Sequence, residues 1–524
     1  MNRRLVVLFV VLAVLAVVVG GVAGALVGGD DDGDDAPRSE RRPSTPAEPA
    51  DPSVTEPPSP ELAPYYSQEL DWTECKGDKE CATLTVPIDY RDPDAGDIEL
   101  ALLRAPAEDP DARIGSLVVN PGGPGAPGTK TAEDATSYFR EPLRRSYDIV
   151  GFDPRGTGKS DPVDCVSDEE LDEFISADPA PDDPGEGKAF ADQLADFFQG
   201  CVDHSDALIG HVSTNEAARD MDVLRAALGE ETLDYFGFSY GTRLGATYAE
   251  LFPAKVGRFV LDGATDPALS VRQSVLNQAG GFQLALESYI KDCLDDGDCF
   301  LGDSLEEGLD RISGFLDEVD DEPLSTKDPE GRDLEVGNAF YGIVLPLYSR
   351  ANWPLLDQGL QQAFDGDGTT LLFLSDFYGS RENGEYTDNS LEAIYAINCL
   401  DDPTSIGPEQ VPAEYPAFKR VSPTFGEVFA WSLLNCRGLK VQPAYKPLKI
   451  DAKGAAPIVV VGTTRDPATP YEEAVALAKE LDSGVLVTRD GDGHTGYNKG
   501  NDCVDGAIED YLLDGTVPDD GLKC

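Results

Sequence analysis

The sequence predicts an α/β fold, a mostly parallel sheet with helices on both faces, interrupted by a large and mainly helical insertion. Three observations lead there. Short apolar runs of strand length at residues 98–104, 115–120, 147–153, 233–238 and 256–261 alternate with loops and helical patterns, the arrangement that parallel strands with crossover helices require. The alternation stops after residue 266, where a long stretch of mostly helical periodicity with Asp- and Gly-rich loops begins. It resumes at 458–462 and 484–488, with helical patterns at 471–481 and from about 504 to 513. The helix expected at 213–228 carries Ala217, Met221, Leu224 and Leu228 as its apolar stripe. Ser213 or Thr214 is its cap, with Glu216 completing a capping box after Ser213.

In chain order, Arg3 and Arg4 precede an apolar run over residues 5–27. This is the pattern of an exported chain with its positive end left inside. Residues 1–28 read either as a signal peptide, with Ala23-Gly24-Ala25 as cleavage site, or as a membrane anchor long enough to span a bilayer. Residues 29–64 are acidic and Pro-rich and cannot bury enough surface to order themselves. The folded body then divides into a first core part (65–266), an inserted cap (267–455) over the sheet edge where ligands bind in open α/β folds, and a second core part (456–524). The formal net charge is −57. Residues 30–63 hold ten acids against three arginines, so only −7 of it comes from the linker. A body this acidic repels phosphate backbones, which excludes nucleic acid as a partner. The ten cysteines fall in near neighbours, and sequential pairing is expected: Cys75 with Cys81, Cys165 with Cys201, Cys293 with Cys299, Cys399 with Cys436, Cys503 with Cys524. No C-x-x-C occurs, so neither a zinc site nor thioredoxin-like chemistry is supported, and no metal or cofactor is expected.

The run at 233–238 ends in Gly237-Phe238-Ser239-Tyr240-Gly241, and a helix with small residues on one side follows. A G-x-S-x-G between strand and helix is the nucleophile elbow of α/β-hydrolases. The turn strains the serine backbone, only glycine leaves room at the flanks, and the helix N-terminus favours a developing negative charge. Ser239 then needs a base titrating near neutrality. Of the three histidines, His204 and His211 precede the elbow, whereas His494 follows the last core strand and fits the chain order Ser, acid, His. The acid belongs on the loop after the preceding strand, where Asp466 sits in Asp466-Pro467-Ala468-Thr469-Pro470. Asp466 also suits a helix N-cap. Asp266 is the fallback acid, and Asp490 and Asp492 read as turn residues. An oxyanion hole needs two backbone N–H donors. Tyr240 supplies one. Pro121 and Pro124 have no N–H, so Gly122 or Gly123 supplies the other, with Gly123 preferred.

As an ordered set, Asn120-Pro121-Gly122-Gly123-Pro124-Gly125, Asp153-Pro154-Arg155-Gly156-Thr157-Gly158-Lys159-Ser160, Gly237-Phe238-Ser239-Tyr240-Gly241-Thr242, Ala396-Ile397-Asn398-Cys399-Leu400-Asp401, Asp466-Pro467-Ala468-Thr469-Pro470 and Gly493-His494 resemble the secreted tripeptidyl aminopeptidases of high-GC Gram-positive bacteria. The resemblance spans about residues 65–524. It implies an α/β-hydrolase fold related to proline iminopeptidases, and an exported serine exopeptidase taking short peptides from free N-termini. The chain departs from that pattern at Cys436-Arg437-Gly438-Leu439, where the family has Cys-x-x-Trp-Pro, and at Ala126-Pro127, where Gly-Ser is usual. An aminopeptidase must bind an α-ammonium, for which Asp401 and Asp402 are the cap candidates. The alternatives are an exported esterase or lipase with the same triad, and a non-catalytic surface-binding protein. Ser239 in place of Asp at the elbow excludes a dehalogenase or epoxide hydrolase. The expected location is outside the cell, free or tethered through residues 5–27.

Overall fold

Strands such as Gly115–Asn120 and Tyr147–Phe152 are buried at every position, as continuous apolar runs must be when both sheet faces are covered. The computed structural model describes residues 56–524; the leader and anchor readings of residues 1–28 fall outside them. The strands are β1 (Thr73–Lys76), β2 (Lys79–Pro87), β3 (Asp97–Ala105), β4 (Gly115–Asn120), β5 (Tyr147–Phe152), β6 (Leu233–Phe238), β7 (Val256–Asp262), a small hairpin of β8 (Arg381–Glu382) and β9 (Glu385–Tyr386), then β10 (Ile458–Arg465), β11 (Gly484–Asp492) and β12 (Leu522–Lys523). Ten of them form one sheet in the order β1-β2-β3-β5-β4-β6-β7-β10-β11-β12. From β5 to β12 every neighbouring pair is parallel, whereas β1, β2 and β3 form an antiparallel flank.

The strand order reverses at β4. The chain goes from β4 to β5 on one side and returns to β6 on the other, so the carboxyl ends of β4 and β6 emerge side by side, with Asn120 opposite Gly237. Such a switch point opens a crevice at the sheet edge. Helices Thr214–Ala227, Tyr240–Leu251 and Tyr471–Glu480 cover one face through Met221, Leu224, Leu244 and Leu477. Helices Gly128–Glu133 and Asp502–Asp514 cover the other through Ala132, Val504 and Ile508. Ser213 caps its helix as expected, accepting the Glu216 N–H.

Residues 267–455 fold into helices around a separate core that includes Leu286, Ile312, Ile343 and Leu371. Two helices from before the elbow, Asp168–Ser176 and Pro184–His204, join this layer. Leu194 belongs to the same core, Gly187 packs against Trp431, and Asp172 pairs with Arg381. The roof over the sheet edge therefore comes from two stretches of chain. All ten cysteines form the five sequential disulfides. Among the described residues no helix is long and apolar enough to cross a membrane.

Candidate active site

The elbow is a strained turn held from several sides. Ser239 adopts φ 55° and ψ −126°, a conformation that costs on the order of 1–3 kcal/mol and persists only when its surroundings impose it. The Ser239 N–H donates to Asp262 O at 2.9 Å, the Tyr235 hydroxyl to Gly241 O at 2.8 Å, and the Thr242 hydroxyl to Ser239 O at 2.6 Å. A Cβ on Gly237 would lie 2.4 Å from Gly241 O, and one on Gly241 2.8 Å from Asn120 O. Glycine at both flanks is thus a requirement of packing.

The loop after β4 folds against this turn. Gly122 has φ +100°, and a Cβ there would lie 2.8 Å from Ser239 Cβ and 3.1 Å from Tyr240 N. The Gly122 N–H donates to Asn120 Oδ1 at 3.0 Å. Among the described residues no hydrogen bond from the Gly123 or the Tyr240 N–H is recorded.

His494 Nδ1 lies 2.9 Å from both carboxylate oxygens of Asp466. Asp466 is buried, and its Oδ1 also accepts the N–H groups of Ala468 (3.0 Å) and Thr469 (2.9 Å), while Oδ2 accepts that of Thr495 (3.1 Å). Three backbone donors fix the carboxylate, and an ionised carboxylate only accepts, so the His494 proton belongs on Nδ1. Nε2 is then the basic nitrogen. It is buried and has no hydrogen-bond partner among the described residues. No hydrogen bond joins it to Ser239, yet both residues rest on the end of β7. Ser239 is bonded to Asp262 O, the Asp262 carboxylate accepts Gly496 N–H (2.7 Å) and Tyr497 N–H (2.9 Å), and a Cβ on Gly263 would lie 3.1 Å from His494 Cε1.

The other candidates have different partners. The helix after Asp466 starts at Tyr471 with Pro470 as its cap residue, so the N-cap role does not fall to Asp466. Asp266 accepts the Ala268 N–H and has no bond to His494. Asp490 and Asp492 both pair with Arg465. His211 pairs with Glu216, and His204 closes the helix Pro184–His204. Asp401 is buried, accepts the Thr214 N–H (2.9 Å) and hydroxyl (2.5 Å), and faces Arg243 at 3.6 Å. Asp402 accepts the Thr404 N–H in a local turn.

Sequence reasoning missed three contributors. Thr469 places its hydroxyl 3.3 Å from His494 Nδ1; its place three residues after Asp466 was the available signal. Asp262 anchors the histidine loop, and burial pushes its carboxyl up to about 6 despite two N–H donors. Tyr348, from the insertion, accepts the His494 N–H on its carbonyl at 2.8 Å and sets its ring edge-on to the imidazole at 5.5 Å.

Relatives share this chain nearly end to end. The sequence profile of the family described as TAP-like protein matches residues 422–524. Serine protease Hip1 of Mycobacterium tuberculosis is 38% identical over 483 residues, covering 88% of this chain and 92% of the relative. The chain belongs to the TAP-like family. This TAP-like chain is a serine hydrolase of the α/β-hydrolase fold. It is also similar to Carboxylesterase B of M. tuberculosis, 36% identical over 479 residues (88% and 91% covered), and to tripeptidyl aminopeptidase of Streptomyces lividans, 32% identical over 480 residues (87% and 86%). Among solved structures, proline iminopeptidase of Mycobacterium smegmatis aligns over 79% of this chain and 91% of its own, at 15% identity and a TM-score of 0.31.

Proposed function

We propose that the protein is an exported serine exopeptidase that removes short peptides, of about three residues, from free N-termini. The observation that carries the mechanism is the fixed Asp466–His494 pair, which leaves Nε2 uncommitted on the strand end that also holds Ser239. Nε2 takes the Ser239 hydroxyl proton as Oγ attacks the scissile carbonyl. The oxyanion is received by the N–H groups of Tyr240 and Gly123. The imidazolium, stabilised by Asp466, gives its proton to the leaving amine as the C–N bond breaks. Water then attacks the acyl-enzyme with His494 again as base, releasing the peptide acid and restoring Ser239.

The peptide substrate is supported by the relatives named serine protease and tripeptidyl aminopeptidase. Export is supported by five disulfides and no free cysteine, a pattern of oxidising compartments. The ammonium-binding role that the sequence suggests for Asp401 and Asp402 is not part of this proposal, because their carboxylates are engaged by Thr214, Arg243 and Thr404. A second reading, an exported esterase with the same triad, is favoured by the relative named Carboxylesterase B.

The deciding experiment is a chromogenic panel of free and N-acetylated di-, tri- and tetrapeptide anilides beside short-chain esters. Turnover peaking at the free tripeptide supports the exopeptidase; ester turnover without any anilide turnover refutes it. Ser239→Ala must abolish labelling by a fluorophosphonate probe, and undiminished labelling would place the nucleophile elsewhere.

A further inference from the structure

The helix Ser390–Asp401 of the insertion meets the core at both of its ends. Its first turn packs on the loop that carries Gly123: a Cβ on Gly125 would lie 2.9 Å from Ala393 Cβ and 2.9 Å from Ser390 O. Asn389, just before the helix, accepts the Gly158 N–H at 2.8 Å and donates to Gly156 O and Val163 O at 2.9 and 2.8 Å. That end is therefore tied to the loop after β5. The last residue of the helix, Asp401, reaches the residue that follows the nucleophile. Its Oδ1 accepts the Thr214 N–H at 2.9 Å and its Oδ2 the Thr214 hydroxyl at 2.5 Å. Thr214 Oγ1 in turn lies 2.5 Å from the Tyr240 hydroxyl.

The protons of this row have one arrangement. An ionised carboxylate only accepts, and a threonine hydroxyl has a single proton. Thr214 spends that proton on Asp401, so the Tyr240 hydroxyl donates to Thr214. Burial pushes the Asp401 carboxyl up, and the Arg243 guanidinium at 3.6 Å together with the two Thr214 donors opposes that by favouring the charged form. Tyr240 and Thr214 are buried, so solvent does not stand in for either bond. The row ends at the peptide unit between Ser239 and Tyr240, which carries the Tyr240 N–H. Thr242 holds the carbonyl of that unit through its own N–H (2.8 Å) and hydroxyl (2.6 Å). The tethered Tyr240 ring holds the other side, at Tyr240 Cα. A donor fixed in advance needs no reorganisation as charge develops on the ligand oxygen.

We propose that Asp401 is a positioning residue of the oxyanion site: through the Thr214 hydroxyl it fixes the Tyr240 side chain, and with it the Tyr240 amide. The same helix backs the Gly123 loop at its other end, so one element of the insertion braces both donors. The proposal rests on the mechanism above, in which the Tyr240 N–H receives the oxyanion. It gives Asp401 a task that the substrate's ammonium does not enter.

The test uses Tyr240→Phe, Asp401→Asn and the double variant, with Asp402→Asn as control. Tyr240→Phe leaves Thr214 bonded to Asp401 and orphans no buried donor, so the fold is expected to hold. Asp401→Asn has one accepting oxygen for the two Thr214 donors and no charge for Arg243. Turnover is measured with p-nitrophenyl acetate and with a free tripeptide p-nitroanilide, since both pass through an oxyanion. Each single variant is expected to lower kcat about tenfold or more, short of the roughly 10²–10³-fold for losing a donor outright, with KM within about twofold. The acid limb of kcat/KM against pH, which reports the base of the free enzyme, is expected to stay in place. The double variant is expected to be no slower than the slower single, because one row is cut twice. Asp402→Asn, whose carboxylate serves only a local turn, is expected to match wild type. A Tyr240→Phe enzyme with unchanged kcat would overturn the proposal. So would losses that multiply in the double variant, a loss confined to KM, or a shifted acid limb, which would place the effect on His494. Failure of the mechanism shows separately, as full turnover by Ser239→Ala; wild-type rates in the row variants of an enzyme that Ser239→Ala silences remove the brace alone.

Discussion

Asp466→Asn changes one atom of a buried group that serves four donors: His494 Nδ1 and the N–H groups of Ala468, Thr469 and Thr495. The amide has a single oxygen. Its least costly placement keeps that oxygen at the Oδ1 position, where two backbone N–H groups converge, and puts the NH2 where Oδ2 stood. The NH2 then faces the Thr495 N–H and donates to His494 Nδ1. One buried hydrogen bond is lost, which costs about 1–3 kcal/mol of stability. The larger effect is on the imidazole. With Nδ1 accepting, the proton moves to Nε2, and the nitrogen that should take the Ser239 proton no longer has a lone pair. In Ser-His-Asp enzymes this tautomer error lowers kcat about 10⁴-fold, equivalent to about 5 kcal/mol of transition-state stabilisation. The assay is kcat and kcat/KM on a chromogenic substrate, with a thermal melt on the same preparation. The expected result is a fall of three to five decades with Tm lower by only a few degrees. A variant within tenfold of wild type and with an unchanged melt would show that Asp466 does not set the tautomer.

Gly122→Ala would place a methyl 2.6 Å from Phe238 O and 2.8 Å from Ser239 Cβ, at a φ of +100° that alanine resists. It is expected to lower kcat at least a hundredfold while the five disulfides form as before; full activity would mean that the loop has room the structure does not show. Stability should rise as the medium is acidified from pH 8 to 5.5. Burial holds the carboxyls of Glu473 and Glu392 at about 7 and that of Asp262 at about 6, above their ordinary values. Across that window the native state binds more protons than the unfolded chain, so the free energy of unfolding falls as pH rises. Carboxylates held below their ordinary range, such as Asp89 and Asp109, lose their contribution only at lower pH. Thermal melts are the measurement: a Tm that falls on going from pH 8 to 5.5 contradicts the reading, and Glu473→Gln should flatten the slope.

The parts of the fold legible in the sequence were those whose burial leaves an unbroken apolar run. Strands β4 and β6 begin and end where the residues alone place them, because both faces of a central parallel strand are covered. Of the antiparallel flank, β3 was legible at residues 98–104, whereas β1 and β2 were not. β1 is Thr-Glu-Cys-Lys, exposed throughout and tied to β2 by Cys75–Cys81, so nothing in its composition separates it from a loop. The helices Asp168–Ser176 and Pro184–His204 precede the elbow and so read with the core, whereas Leu171, Ile175, Ala191 and Leu194 pack with the insertion and only Phe197, Phe198 and Cys201 belong to the core on the sheet. At the site, the Asp466–His494 contact follows from chain order, since successive parallel strands deliver their loops to one edge. Tyr348 was not accessible that way. It lies far from His494 in sequence, and what it offers the histidine is a backbone carbonyl, which every residue type has.

That carbonyl has a mechanical consequence. Gly493, at φ +99°, lets the chain pass so close to the insertion that a Cβ there would lie 2.9 Å from Tyr348 O, and the next amide, His494 N–H, is fastened to the same oxygen. His494, the base of the proposed mechanism, is thus hung from the ceiling as much as it is seated on the floor. A swing of the roof about any hinge that raised Tyr348 would pull the imidazole's main chain with it and break its alignment with Asp466. Opening at this corner would therefore disturb the Asp466–His494 pair on which the proposed mechanism rests.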